Sequence, residues 1–291
     1  MSTSANPFQL SLDELFTRLN RLKGLLSYLE DCLNNFRKLL RENIDRSNID
    51  PSCLFAGTSL VIKDISEWPE DSWAVNYPTG SFALQGEAYL KGVDTLVHRE
   101  CAWTISQAYE AFETFLKDIT AYYLREHREQ ADAWKLKELD HKLRKLSQEP
   151  TDIEYWKNFV RLACGKNKEL LSFLRKIAPE LKEVERKNNL DIDLRKWYSV
   201  AAEVRHAATH SDMLIKSNKK NDRLQMKRDL LASFFPGTYT DGCYKLEPSR
   251  KDAERNLDLF AAYAFAIFKS LSKSMNYRWD ILPGMTNKSA A

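Results

Sequence analysis

The segment Val204-Arg205-His206-Ala207-Ala208-Thr209-His210-Ser211-Asp212 is the most informative stretch of the chain. It places one arginine and two of the five histidines within a short amphipathic stretch. A guanidinium holds a phosphate through a planar fork of donors, and an imidazole exchanges protons near neutral pH. These groups suffice for attack on a ribose-phosphate linkage without a metal ion. His210 would take a proton from a ribose 2′-OH or give one to the leaving oxygen. Arg205 would neutralise the phosphorane that forms between them, and His206 would orient the cleft or bind the phosphate. DNA lacks the 2′-OH, so the substrate this chemistry selects is RNA, and the products would be a 2′,3′-cyclic phosphate and a 5′-OH.

Spacing limits what one copy can do. Arg205 and His210 are five residues apart, about 140° of rotation on an α-helix, so they do not share a face. His206 and His210 are four apart and do. Arg205 and His210 converge only on something lying across that edge or on a second copy of the segment, which a two-fold dimer would supply. Two other readings use the same letters. Arg205 could pair with Glu203 or Asp212, leaving the histidines at an ordinary helix edge. The His-x-x-x-His spacing of His206 and His210 also suits zinc. Ala207 stands where a zincin would carry its acidic residue, however, and only Asp212 offers a third ligand nearby.

The elements that must carry this segment are legible from periodicity. Ser11, with Glu14 three residues on, forms a capping-box pattern. From there Leu12, Leu15, Leu19, Leu22, Leu26, Leu29, Leu33, Phe36 and Leu40 recur every three or four positions to about Asn43. That stripe is one buried face of a bundle helix or, alternatively, a coiled-coil seam. Residues 45–85 hold Pro51, Pro69, Pro78 and the aromatics Phe55, Trp68, Trp73, Tyr77 and Phe82. They read as an irregular connector with one short strand at Leu60-Val61-Ile62. A very long helix follows from Gly86 to His127. Its centre is Trp103, Ile105, Tyr109, Phe112, Phe115, Leu116, Ile119 and Tyr123, and Gly92 marks a place for a kink.

Further helices are expected over 133–147, 152–163, 168–177 and 179–188. Asp191 or Asp193 caps the helix that bears the motif, with Leu194, Trp197, Tyr198, Ala201 and Val204 facing inward. A lysine-rich loop, 217–221, leads to a helix over 224–235. Pro236-Gly237 and Asp241-Gly242 are turn signals, Tyr239 to Leu246 reads as a small hairpin, and Ser249 caps a final helix from Lys251 to about Met275. His98, His127 and His141 lie in charged stretches and read as surface residues. The tail after Pro283 reads as loose.

This order resembles the HEPN superfamily of helical nucleases and nucleotide-associated domains in prokaryotic toxin and defence systems. Its signature is an arginine, a polar residue, a short gap and a histidine. Arg205, His206 and His210 match those positions one by one. An apolar helix leads into the motif, and Tyr109-Glu110-Ala111-Phe112-Glu113-Thr114-Phe115-Leu116 resembles the family's early core helix. The resemblance covers Gly86 to Ser274. It implies an all-α, HEPN-like helical bundle that dimerises around the motif. Residues 1–85 would contribute the N-terminal helix and connector, residues 86–282 the HEPN-like domain with a small β-hairpin insertion, and residues 283–291 a flexible tail. It further implies a metal-independent endoribonuclease with no cofactor, catalytic Arg205, His210 and His206, and an antitoxin or other regulatory partner. The alternative within the same resemblance is a non-catalytic dimeric scaffold that binds a nucleotide or partner.

Composition bounds these readings. The chain has 291 residues, 43% of them hydrophobic, with only 9 Gly and 9 Pro. That favours long helices around a sizeable core. The net charge of +3 neither demands nor excludes nucleic acid, so an RNA-binding surface would come from local clustering. Lys216, Lys219, Lys220 and Arg223, with Lys227 and Arg228 beyond them, form such a cluster just after the motif. The five cysteines are scattered and unpaired by spacing, which points to free thiols in a reducing cytoplasm. No apolar run approaches the ~18 residues that a membrane span needs. No Gly-rich phosphate loop or nucleophile elbow is present.

Overall fold

Helices dominate the computed structural model, which describes residues 6–48, 50–53, 55–58, 61–63, 74–76, 82–134, 143, 149–164, 167–216, 223–240 and 242–280. Two long antiparallel helices, α1 (Gln9–Ser47) and α2 (Glu87–Glu126), form its backbone. Against α2 pack α3 (Ile153–Ala163), α4 (Asn167–Ile177), α6 (Leu194–His210) and α8 (Arg250–Ser274), while the short α5 (Glu180–Val184) lies against α4 and α8, and α7 (Arg223–Phe234) against α6 and α8. An all-α architecture is therefore correct for the described residues.

The long stripe of α1 is buried at Leu12, Leu15, Leu19 and Leu26, but Phe36 is exposed. The second half of α1 runs past the core and is steadied at its edge by the Arg37–Asp94 ion pair to α2. Its start differs from the expected capping box. Ser11 lies inside the helix, buried, with its hydroxyl unpaired. The first turn is instead tied by Asn6, whose side-chain oxygen accepts the Phe8 N–H at 3.0 Å. Its amide nitrogen donates to Ser272 Oγ and to the Arg278 carbonyl, both at 2.8 Å. The helix starts at Gln9, two residues before Ser11, and buried Asn6 just ahead of it satisfies distant groups that would otherwise lose water.

The described residues between α1 and α2 include regular strands. Two antiparallel ladders occur there. β1 (Phe55–Thr58) pairs with β4 (Phe82–Gln85), and β2 (Val61–Lys63) pairs with β3 (Ala74–Asn76). The Leu60-Val61-Ile62 strand is thus found one residue later. The expected contributions of Trp68, Trp73 and Tyr77 lie outside the described residues, as does nearly all of the helix expected over 133–147.

Helix α2 runs unbroken through Gly92, which does not split it. Its inner face carries Ile105, Phe112, Leu116 and Ile119 at essentially zero exposure, while Trp103 points outward and is 46% exposed. Trp103 lies two residues before Ile105, about 200° around the helix, so it falls on the side of α2 away from that row. Phe112 is the hub of the core, with its ring against Tyr198, Phe260 and Tyr263 at 5.2–5.5 Å. Such aromatic contacts add about 0.5–1.5 kcal/mol each beyond burial alone.

The C-terminal half is clamped by two buried polar knots. Trp197 Nε1 donates to Asn256 Oδ1 at 3.0 Å, and Asn256 Nδ2 donates to the Phe234 carbonyl at 2.7 Å, tying α6, α7 and α8 together. Arg175 grips fully buried Glu185 through Nε and Nη2 at 2.7–3.0 Å, and the Tyr263 hydroxyl donates to the same carboxylate. Helix α8 begins with the expected Ser249 cap, completed reciprocally by Asp252. The hairpin is present as β6 (Gly237–Thr240) and β7 (Cys243–Leu246). A strand unforeseen in the sequence, β5 (Leu214–Lys216), extends it to three in the order β5-β7-β6.

Candidate functional site

Helix α6 carries the motif at its last two turns. Asp193, not Asp191, caps its start by accepting the N–H groups of Arg195 and Lys196, both at 3.1 Å. Asp191 instead takes a left-handed conformation at φ 52°. Leu194, Trp197, Tyr198, Ala201, Val204 and Ala207 are all buried, as their spacing requires. The helix stops as the Met213 N–H reaches back six residues to the Ala207 carbonyl at 3.1 Å, which also accepts the Ser211 N–H at 3.2 Å. Asp212 and Met213 are both left-handed there (φ 45° and 68°). The chain then enters β5, and Leu246 of β7 donates its N–H to the Met213 carbonyl at 2.9 Å. The small sheet thereby pins the end of α6 where the motif sits.

This anchoring leaves Arg205, His206 and His210 along the outer edge of the helix end. His206 and His210 are both exposed, with ring centroids 5.2 Å apart. Thr209 between them donates its hydroxyl to the Arg205 carbonyl at 2.8 Å, so it does not compete for the imidazoles.

Arg205 is oriented by a residue on another helix. Its Nη2 donates to Glu110 Oε1 on α2 at 3.2 Å, with side-chain exposures of 34% and 50%. Its Nε is buried without a hydrogen bond. The pairing with Glu203 or Asp212 weighed from the sequence gives way to this one. Neighbours on the same helix end lose to a carboxylate that the α2–α6 packing delivers from 95 residues away. Glu110 sits inside the Tyr109–Leu116 segment already singled out, but no local signal marks it as the partner.

The basic cluster is only partly described. Lys216 ends β5 and is exposed, and Arg223 opens α7. Lys219 and Lys220 lie outside the described residues. Arg228 lies over the Tyr239 ring of the adjacent hairpin at 5.3 Å. Among the described residues, no three His, Cys, Asp or Glu side chains are grouped as metal ligands, and His206 and His210 gain no third donor in that set. His98 is less of a surface residue than its charged neighbourhood implied, since its Nδ1 lies 3.0 Å from the Pro248 carbonyl, part-buried. His127 closes α2 stacked on Tyr123 at 4.6 Å, and His141 lies outside the described residues. Among the described residues no helix is long and apolar enough to cross a membrane.

Comparison with protein-family models, curated proteins and solved structures found no match to this chain.

Proposed function

We propose that this protein is a metal-independent endoribonuclease of HEPN type, active as a homodimer in which two copies of the α6 edge face one another. The observation that carries this reading is the grouping at that edge: two solvent-facing imidazoles 5.2 Å apart beside an arginine whose guanidinium is held at one corner. Exposed imidazoles are free to exchange protons with a bound substrate. A guanidinium fixed through Nη2 alone keeps further donors for a phosphate. Because Arg205 and His210 point about 140° apart on one helix, the second chain supplies the partner group across a symmetric cleft. His210 acts as the proton-transfer group, Arg205 as the phosphorane stabiliser, and His206 as a phosphate or cleft-orienting contact. Exposed Lys216 extends the positive surface along the RNA.

The setting proposed is prokaryotic defence or a toxin system, in the cytoplasm, with an antitoxin or similar regulator. The test is cleavage of labelled RNA by the purified protein in EDTA. The wild type yields 2′,3′-cyclic phosphate ends, and Arg205→Ala and His210→Ala each remove cleavage while the protein stays folded. EDTA-resistant cleavage persisting in both variants overturns the assignment.

A further inference from the structure

A second feature lies away from the histidines. A cavity of about 800 Å³ opens between α2, α4 and the first half of α6, and none of Arg205, His206 or His210 lines it. Its charged lining is five cations, Lys168, Arg175, Arg186, Arg195 and Lys196, against two carboxylates, Glu113 and Asp193. Both acids are already engaged. Glu113 accepts a hydrogen bond from the Asn167 amide, and Asp193 caps α6 while pairing with Lys196 at 3.6 Å. Among the described residues, Lys168, Arg186 and Arg195 make no ion pair. The lining keeps an excess of positive charge, and a concave surface with such an excess concentrates anions. Helix α4 also begins at this cavity, and a helix N-terminus adds to its attraction for anions.

The floor is recessed and preorganised. Arg175 is only 12% exposed in its side chain, and Glu185 fixes its plane through Nε and Nη2. Nη1, outside those bonds, is left for the cavity that Arg175 lines. Asn167, 9% exposed, donates to the Tyr198 hydroxyl at 3.0 Å, which sets a polar base beneath the cations. A compact terminal phosphate reaches a recessed guanidinium. A phosphodiester within a strand, flanked by two sugars, does not reach it as well. Fixing such donors before binding lowers the entropic cost of capture.

We propose that this cavity binds a small phosphorylated molecule through its terminal phosphate, seated on Arg175 with Lys168 and Arg195 at the mouth. The volume lies within the range of small-ligand pockets, about 300–1,000 Å³, so a ligand larger than orthophosphate fits. The site is separate from the cleavage edge and does not depend on that reaction.

Calorimetric titration of the full chain with inorganic pyrophosphate tests it. One saturable site is expected, and the surface double variant Lys168→Glu/Arg195→Glu weakens it at least about tenfold, roughly 1.4 kcal/mol, with an unchanged melting temperature. No saturable binding at about 10 mM pyrophosphate, above the ~1 mM at which binding is already weak, overturns the proposal. So does an affinity unaltered by the double variant. Competition by a short deoxyoligonucleotide identifies the source of the phosphate. If only the 5′-phosphorylated form displaces pyrophosphate, the phosphate belongs to a nucleic-acid end. If neither form does, it belongs to a free small molecule. Equal displacement by the 5′-hydroxyl form overturns the proposal in favour of a groove that tracks a strand.

Discussion

Arg205 of α6 and Glu110 of α2 are separated by 95 residues in sequence and by 3.2 Å in space. Their pairing joins the motif to the core helix of the bundle. It is half-exposed, so its value to stability is at most about 1 kcal/mol, and its main consequence is where the guanidinium points. Glu110→Gln is therefore expected to leave the melting temperature within about 3 °C of wild type while lowering kcat for RNA cleavage about tenfold, equivalent to about 1.4 kcal/mol of transition-state stabilisation. Comparison of kcat with KM checks this, because a purely structural role would move the melting temperature and leave kcat alone.

Asp118 is an acid that folding handles poorly at neutral pH. Burial, opposed by Lys157 at 3.7 Å, raises its pKa above the ordinary aspartate value, and Oδ1 has no hydrogen bond. A carboxyl whose folded pKa is raised contributes most below its unfolded pKa, and that contribution is lost as pH rises through the folded value. Asp118→Asn, which cannot ionise, is expected to raise the melting temperature by about 2 °C or more at pH 7. The gain should shrink below about pH 4, where the unfolded aspartate also protonates. Thermal melts of both proteins from pH 3 to 8 read this directly.

Asn256 is fully buried and serves three elements at once through Trp197 and the Phe234 carbonyl. Removing it strands an indole N–H and a carbonyl out of water, each costing about 1–3 kcal/mol. Asn256→Ala is expected to lose about 3 kcal/mol in urea unfolding. Trp197→Phe removes the donor that Asn256 accepts, but it leaves Asn256 Oδ1 unmet and so remains destabilising. A double-mutant cycle between the two positions should show clear coupling, since they share one network.

The cysteines divide by burial. Cys101 is buried among α2 contacts, and desolvation pushes its thiol up to about 12. Cys32 and Cys53 are exposed. Alkylation at pH 8 should label Cys32 and Cys53 within minutes and spare Cys101 until the protein unfolds, because the thiolate is the reacting species. Peptide mass spectrometry after timed iodoacetamide treatment resolves the three.

Much of this architecture could be read from residue spacing alone. The bounds of α2, α6 and α8 follow from apolar periodicity together with Gly86, Asp193 and Ser249 at their starts. These signals are local, and local signals survive without tertiary knowledge. Ser11 misled because the helix starts earlier, at Gln9, where Asn6 is held by groups more than 260 residues away. Strand β5 escaped notice because three residues give no period, and only pairing with β7 defines it. At the candidate site, the residue types of Arg205, His206 and His210 and their place on a helix edge were legible. Glu110 was not, nor was the Arg175–Glu185–Tyr263 knot under the cavity. Each depends on helices brought together by packing, and no spacing within one helix encodes a partner on another.

In the proposed function, the α6 edges of two chains cut RNA with an arginine and an imidazole. The most direct measurement mixes separately purified Arg205→Ala and His210→Ala proteins and assays labelled RNA in EDTA. A composite cleft predicts that each variant alone is inactive and that heterodimers recover a fraction of wild-type cleavage, ending in 2′,3′-cyclic phosphate, if one intact Arg205 and one intact His210 meet across the interface. An inactive wild type, or variants that each cleave RNA at the wild-type rate, contradicts it.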